Sequence, residues 1–190
     1  MNKTNRILFL SYCPPTPSWG GAMTFYRHFI EKKDFETLVV TNDKKIHEYD
    51  LPYKPIKIDY APLIKRLART RLNPYLYSYK SLVASLPSKS VLKDIQSFQP
   101  DAVFTVAGPF HWTSLMAQAV AKQLNIPLIA SFNDWYNYGW FPAHKMFHKK
   151  IEQRFLRFYQ EADLAVCTCE GMREALGEHP NAHVLYPTGA

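Results

Sequence analysis

The chain alternates between unbroken apolar runs and stretches whose apolar residues recur at helical spacing. Arg6-Ile-Leu-Phe-Leu-Ser-Tyr12 opens the series and is followed by a Pro-rich loop. An apolar run bounded in this way is the pattern of a strand buried on both faces. Further runs fall at residues 36–41, 101–106, 127–132 and 163–168, with a short one at 183–186. Between them, residues 110–124 carry Trp112, Leu115, Met116, Ala119 and Val120 at helical spacing, and residues 144–160 carry Phe147, Ile151, Phe155 and Phe158 on one stripe. Strands apolar throughout, alternating with amphipathic helices, predict an α/β domain: a parallel sheet with helices on both faces.

The stretch from Tyr53 to Ser90 is less regular. Pro55, Pro62, Pro74 and Pro87 cut it into short pieces. It predicts one short strand near residues 56–58 and then two or three helices. No internal repeat or low-complexity segment appears.

Composition narrows the class. A chain of 190 residues suits one full-size domain, and 47% hydrophobic residues are enough to give it a core. No apolar stretch approaches the roughly 18 residues of a membrane span, and the first run is too short for a leader. The expectation is a cytoplasmic protein. Cys13, Cys167 and Cys169 are too few and too irregular for a disulfide framework, which points to a reducing compartment. Cys167-Thr-Cys169 lacks a Cys/His partner set at zinc spacing and reads as part of a buried strand. Neither a metal nor a cofactor is expected.

Net charge is +7, which favours anionic partners. Two basic clusters stand out. Lys150, Arg154 and Arg157 fall at i, i+4 and i+7 on the helix of residues 144–160. Lys65, Arg66, Arg69 and Arg71 lie beside Leu63, Ile64 and Leu67, with no acid among residues 60–71. Both suit docking at an anionic membrane surface, at the inner face of the membrane for a cytoplasmic protein. No nucleic-acid-binding motif accompanies the charge, and nucleic acid is not an expected partner.

Candidate chemistry gathers at the ends of the strands, where ligand crevices of open α/β sheets lie. Gly20 and Gly21 open a helical pattern after the first strand. Adjacent glycines there let backbone N–H groups approach a diphosphate closely. Neither the dinucleotide nor the P-loop fingerprint is present. The run from Asn133 to Phe141 places five aromatics among polar residues, including Trp135 and Tyr136. Such rings pair apolar area with a polar handle and suit a sugar or lipid acceptor. Trp19 and His111, each in a loop or at a helix start after a strand, are further acceptor-side candidates.

Three stretches together resemble the N-terminal domain of the retaining, GT-B-fold glycosyltransferases of family 4. The first is the strand, Pro-rich loop, Gly20-Gly21 and helix. The second is Pro100-Asp-Ala-Val-Phe-Thr-Val-Ala107, a helix, and Ile126-Pro-Leu-Ile-Ala-Ser-Phe-Asn-Asp134. The third is Ile151-Glu-Gln-Arg-Phe155, Glu161-Ala-Asp-Leu-Ala-Val-Cys-Thr168, a helix, and Val184-Leu-Tyr-Pro-Thr-Gly189. The resemblance implies a Rossmann-like acceptor-binding domain over residues 1–186, with residues 43–98 as a variable helical insertion. Residues 187–190 would begin a linker to a C-terminal domain that grips the nucleotide-sugar donor and is not in this chain. The complete enzyme would transfer a sugar from a nucleotide-diphosphate donor to a sugar or lipid-linked acceptor, in glycan, polysaccharide or glycolipid synthesis, without a metal.

The same resemblance assigns Gly20 and Gly21 to the donor diphosphate. It assigns Asn133 and Asp134 to the catalytic position, where the family usually reads His-Asp. Asparagine keeps the hydrogen bonds of that histidine and loses its proton. The fragment alone is expected to be inactive. A second reading, from the residues, is a non-enzymatic flavodoxin-like module that docks on a membrane or a partner protein through its basic faces.

Overall fold

The computed structural model describes residues 5–18, 20–58, 62–109, 111–137 and 141–186, the side chains of residues 62, 63 and 65 excepted. Trp19, the Tyr138-Gly-Trp140 part of the aromatic run and the Pro187-Thr-Gly189 ending lie outside the described residues, as does the side chain of Lys65.

Seven strands form one sheet: β1 (Asn5–Ser11), β2 (Phe35–Thr41), β3 (Ile56–Lys57), β4 (Ala102–Ala107), β5 (Leu128–Phe132), β6 (Leu164–Cys167) and β7 (Ala182–Val184). Their order is β3-β2-β1-β4-β5-β6-β7, and every neighbouring pair is parallel. The chain runs outward from β1 to β3, returns to lay β4 beside β1, and runs outward the other way. This is a Rossmann-like α/β fold whose topological switch point lies between β1 and β4. The predicted strands agree to within a few residues.

Alternation along the central strands sorts their side chains into two cores. Leu8, Leu10, Val40 and Val103 face one side, under helices α5 (His111–Leu124) and α6 (His148–Gln160). Ile7, Phe9, Val39 and Phe104 face the other, where α1 (Gly20–Tyr26) contributes Ala22 and Phe25. On that side the Phe9 ring lies 5.7 Å from Phe25, 5.3 Å from Phe29 and 5.1 Å from Phe104. Two buried faces explain why β1 is apolar at every position and not at alternate ones.

Helix α1 continues into a π-helical turn over Arg27–Glu31, which periodicity does not predict. The Pro-broken stretch resolves into β3 and the helices α2 (Pro62–Leu67), α3 (Asn73–Leu82) and α4 (Lys89–Phe98). Ser88 caps α4 by accepting from Val91 N–H at 3.5 Å. The last helix, α7 (Glu170–Leu176), starts at Cys169, whose Sγ accepts from Met172 N–H at 3.4 Å. Cys167 is buried in β6, whereas Cys169 is an exposed cap and not a strand residue. Among the described residues no helix is long and apolar enough to cross a membrane.

Candidate functional site

The carboxyl ends of β1, β4, β5 and β6 converge on one crevice at and beside the switch point. Asn133 and Asp134 follow β5 directly, Asp134 in a bend, and lie against different segments. On Asn133's side lies α1. A Cβ placed on Gly21 would sit 3.7 Å from Asn133 Nδ2. Ser131 Oγ donates to Asn133 Oδ1 at 2.8 Å, which leaves the amide nitrogen directed at α1. Thr168, just past β6, donates through its hydroxyl to the Phe132 carbonyl at 3.4 Å and to the Asn133 carbonyl at 3.5 Å. A cavity of about 110 Å³ opens here, lined by Gly21, Thr24, His28, Ser131, Asn133 and Thr168 together with Phe25, Val166, Leu185 and Tyr186, and its surface is mostly apolar. Gly20, at the mouth of the helix, has φ +27°, a conformation that favours glycine.

On Asp134's side lies the start of the β4–α5 loop. A Cβ on Gly108 would lie 2.9 Å from Tyr12 Oη and 3.6 Å from Asp134 Cβ. A side chain at position 108 would require the Tyr12 ring to shift, whereas its contact with Asp134 would be ordinary. Burial raises the Asp134 carboxyl above the usual carboxylate range. Burial, with the nearby Cys13 and Asp134, pushes the Tyr12 hydroxyl up, and burial with Asp43 and Asp134 pushes the Cys13 thiol up to about 12. Cys13 therefore stays a thiol at neutral pH and is no nucleophile. Tyr77 of α3 donates its hydroxyl to the Pro109 carbonyl, which ties the helical insertion to the lip of the crevice.

Several sequence-based assignments are corrected. His111 is 1% exposed, packed edge-on against Phe155 and Phe158, and among the described residues has no hydrogen-bond partner for either ring nitrogen. It lies in the core and cannot reach an acceptor. Burial, then the charge of Arg154, lowers its pKa to about 3. Tyr136 is 5% exposed and packs on Phe155 and Phe141, with Trp135 half-buried beside it. This part of the aromatic run covers the core and does not line the crevice.

On α6 only Arg154 is withdrawn from the basic face, its side chain 17% exposed. Arg154 donates to Gln118 Oε1 at 2.5 Å and lies 3.7 Å from Glu161, while Arg157 lies 3.2 Å from Glu161. Glu161, at the end of the helix, also lies 3.5 Å from Lys122; its one negative charge is shared among three cations, so the face stays positive, with Arg157 73% exposed and Lys150 exposed. Arg66 and Arg69 are exposed, as their part in the other cluster requires.

Sequence reasoning missed Thr24, His28, Ser131, Thr168 and Tyr12. The spacing of Gly21, Thr24 and His28 (i, i+3, i+7) was a readable sign that one face of α1 lines the cavity. Tyr12 was hidden at the polar end of an apolar strand. A much larger open depression of about 880 Å³ lies by Arg173, Gly177 and His179 at the β7 edge. It shares no residue with the crevice, and its Arg173 is paired with Glu170 at 2.7 Å.

The family model described as Glycosyltransferase Family 4 matches residues 22–187. The chain belongs to this family. The match spans β2 to β7 and the loops carrying Gly108, Asn133, Asp134 and Thr168, and begins just after Gly21. Membership gives the domain a glycosyltransferase-like function, and the Rossmann-like sheet is consistent with one half of a GT-B architecture. A search of curated proteins finds no match to the chain.

Proposed function

We propose that the chain is the acceptor-side domain of a glycosyltransferase that moves a sugar from a nucleoside-diphosphate donor to an acceptor hydroxyl. The observation that carries this is the placement of Asn133 and Asp134 against different segments at the mouth of the crevice. Asn133 turns to Gly21 and a small cavity, and Asp134 turns to Gly108 and Tyr12. In this reading the backbone around Gly20 and Gly21 and the Asn133 amide meet the diphosphate and the donor sugar. Asp134 and Tyr12 meet the acceptor hydroxyl. The reaction gains most from stabilising charge on the leaving diphosphate, and preorganised N–H donors supply that without a proton transfer.

The size of the cavity supports a shared site. At about 110 Å³ it is well below the roughly 300 Å³ at which complete small-molecule sites begin. It can hold part of a nucleotide-sugar, with the remainder gripped by a second domain. The rival, a flavodoxin-like module, would carry the strand order 2-1-3-4-5, whereas here β1 lies between β2 and β4 in the order β3-β2-β1-β4-β5.

Titration of the labelled domain with UDP, GDP and ADP, followed by backbone amide resonances, tests the reading. Shifts concentrated at Gly20, Gly21, Asn133 and Thr168 are expected. Gly21→Ala should keep them, because the added Cβ makes only ordinary contact at 3.7 Å. Gly21→Leu should abolish them by filling the cavity. Perturbations confined to another surface, or none up to millimolar nucleotide, would refute the assignment.

A further inference from the structure

Exposed large apolar side chains are unevenly spread over the protein. Among the described residues they are Leu72, Tyr75, Tyr79, Val83, Leu86, Met146, Leu185 and Tyr186. Leu72 is the N-cap of α3, Tyr75 and Tyr79 lie on it, Val83 and Leu86 follow it, and Met146 sits in the turn packed against it. Tyr75 stacks on His144 with ring centroids 4.5 Å apart, and His144 N–H donates to Ser78 Oγ at 3.0 Å.

Helix α3 buries one face and leaves apolar side chains exposed on the other. Tyr77, Ser78 and Ser81 point inward and are buried. Leu72, Tyr75, Tyr79 and Val83 recur at i, i+3, i+7 and i+11 on the outer face, where they are 53%, 46%, 62% and 41% exposed. A surface helix of a globular protein presents polar residues there. A contiguous exposed apolar strip signals something that covers it.

Charge identifies the cover. Residues 60–93 contain seven Lys and Arg and no Asp or Glu, so this segment alone carries +7, equal to the net charge of the whole chain. Arg66, Arg69 and Arg71 are exposed at the N-terminal approach to α3, and Lys145 is exposed beside Met146. Through this face a second copy of the chain would bring cations against cations, because a two-fold interface pairs a surface with itself. A bilayer with anionic headgroups satisfies both features together. Tyrosines and short apolar side chains enter the interfacial layer while arginines meet the phosphates.

We infer that the outer face of α3, with the Met146 turn and the flanking Arg66, Arg69, Arg71 and Lys145, docks the protein on an anionic lipid surface. This goes beyond the sugar-transfer reading and needs no nucleotide to test, so either can fail alone.

Co-sedimentation with vesicles of phosphatidylcholine, with and without phosphatidylglycerol, is the experiment. The protein should pellet with the anionic vesicles and stay free of the neutral ones, and added salt should weaken binding. Leu72→Gln, Tyr79→Gln and Met146→Gln together change only exposed side chains and should lower the partition tenfold or more. Arg66→Glu, Arg69→Glu and Arg71→Glu should lower it further, since each cation near an anionic surface is worth about fivefold. Lys32→Glu, Lys44→Glu and Lys45→Glu make the same change in net charge elsewhere and should leave most binding intact. Thermal unfolding of each variant checks that it is folded. Three results would overturn the inference: no pelleting with anionic vesicles, equal loss in the Lys32, Lys44 and Lys45 variant, or a concentration-dependent dimer by light scattering with no vesicle binding.

Discussion

Replacing His111 with leucine should stabilise the domain, and the gain should grow as the pH falls. The imidazole is enclosed by Phe155 and Phe158, and neither nitrogen has a partner among the described residues. A buried polar group left unpaired costs about 1–3 kcal/mol, and leucine of similar volume removes that cost at about pH 7. The pH dependence follows from linkage. The ring has a pKa lowered to about 3 in the folded protein, against about 6.5 in the unfolded chain. The unfolded chain therefore takes up a proton first, so stability is lost as pH falls through 6.5, and the loss levels off near 3.

At about pH 5 the folded ring is still neutral and the unfolded ring almost fully charged, which gives a loss of about 2 kcal/mol relative to about pH 7. That figure hardly changes if the folded value is moved by a whole unit, because pH 5 stays above it. Urea unfolding of both proteins at the two pH values, followed by tryptophan fluorescence, reads the difference directly. Other titrating groups cancel, since both proteins contain them. The gap between variant and parent should widen by about 2 kcal/mol on going from about pH 7 to about pH 5. A gap that stays constant would show that His111 is not held neutral by burial and would refute the reasoning.

Two further outcomes follow from the packing around the site. Gly108→Ala places a Cβ 2.9 Å from Tyr12 Oη and should destabilise by about 1 kcal/mol or more, with most of the loss recovered in a Tyr12→Phe background; additive effects in the double-mutant cycle would remove the proposed contact. Glu161→Gln removes the carboxylate beside a largely buried Arg154 and should cost about 1–3 kcal/mol in urea unfolding, whereas Arg157→Gln, at a 73% exposed side chain, should cost less than about 1 kcal/mol; equal losses would argue against a network centred on Arg154.

The strands were legible because two-sided burial leaves a uniform apolar run, as at Ile7 to Leu10. The position of the crevice followed from topology alone, since the strand ends carrying Gly21, Gly108 and Asn133 must meet near the switch point. What could not be read was which polar residues turn inward. His111 sits at a helix start after a loop, a common place for a functional histidine, yet α6 lays two phenylalanines across it. Arg154 and Arg157 fall on a helix face by periodicity, and Glu161, the C-cap of α6 in helical conformation, continues that face at i+4 from Arg157, a pairing the spacing made readable. Tyr136 was misjudged: its polar neighbours suggest an exposed loop, and the ring alone is drawn into the core against Phe155.

Helix α3 links the two ends of the functional argument. Its inner face is fixed to the crevice by the bond from Tyr77 to the Pro109 carbonyl, one residue past Gly108. Its outer face carries Tyr75 and Tyr79, exposed among cations. Seven aligned parallel strands leave little freedom between these faces, so a bilayer held against Tyr79 also fixes where the Asp134 side of the crevice stands relative to the lipid. An acceptor anchored in that bilayer would reach Asp134 by sliding in two dimensions, whereas a soluble sugar would gain nothing from the contact. The two inferences therefore constrain one another. If vesicle binding through α3 holds and transfer is equally fast to soluble and lipid-linked acceptors, the docking face serves placement in the cell and not delivery of the acceptor. If transfer is faster only at the vesicle surface and falls with the Leu72, Tyr79 and Met146 variant, the insertion that looked like irregular covering in the sequence is the part that selects a lipid-linked acceptor.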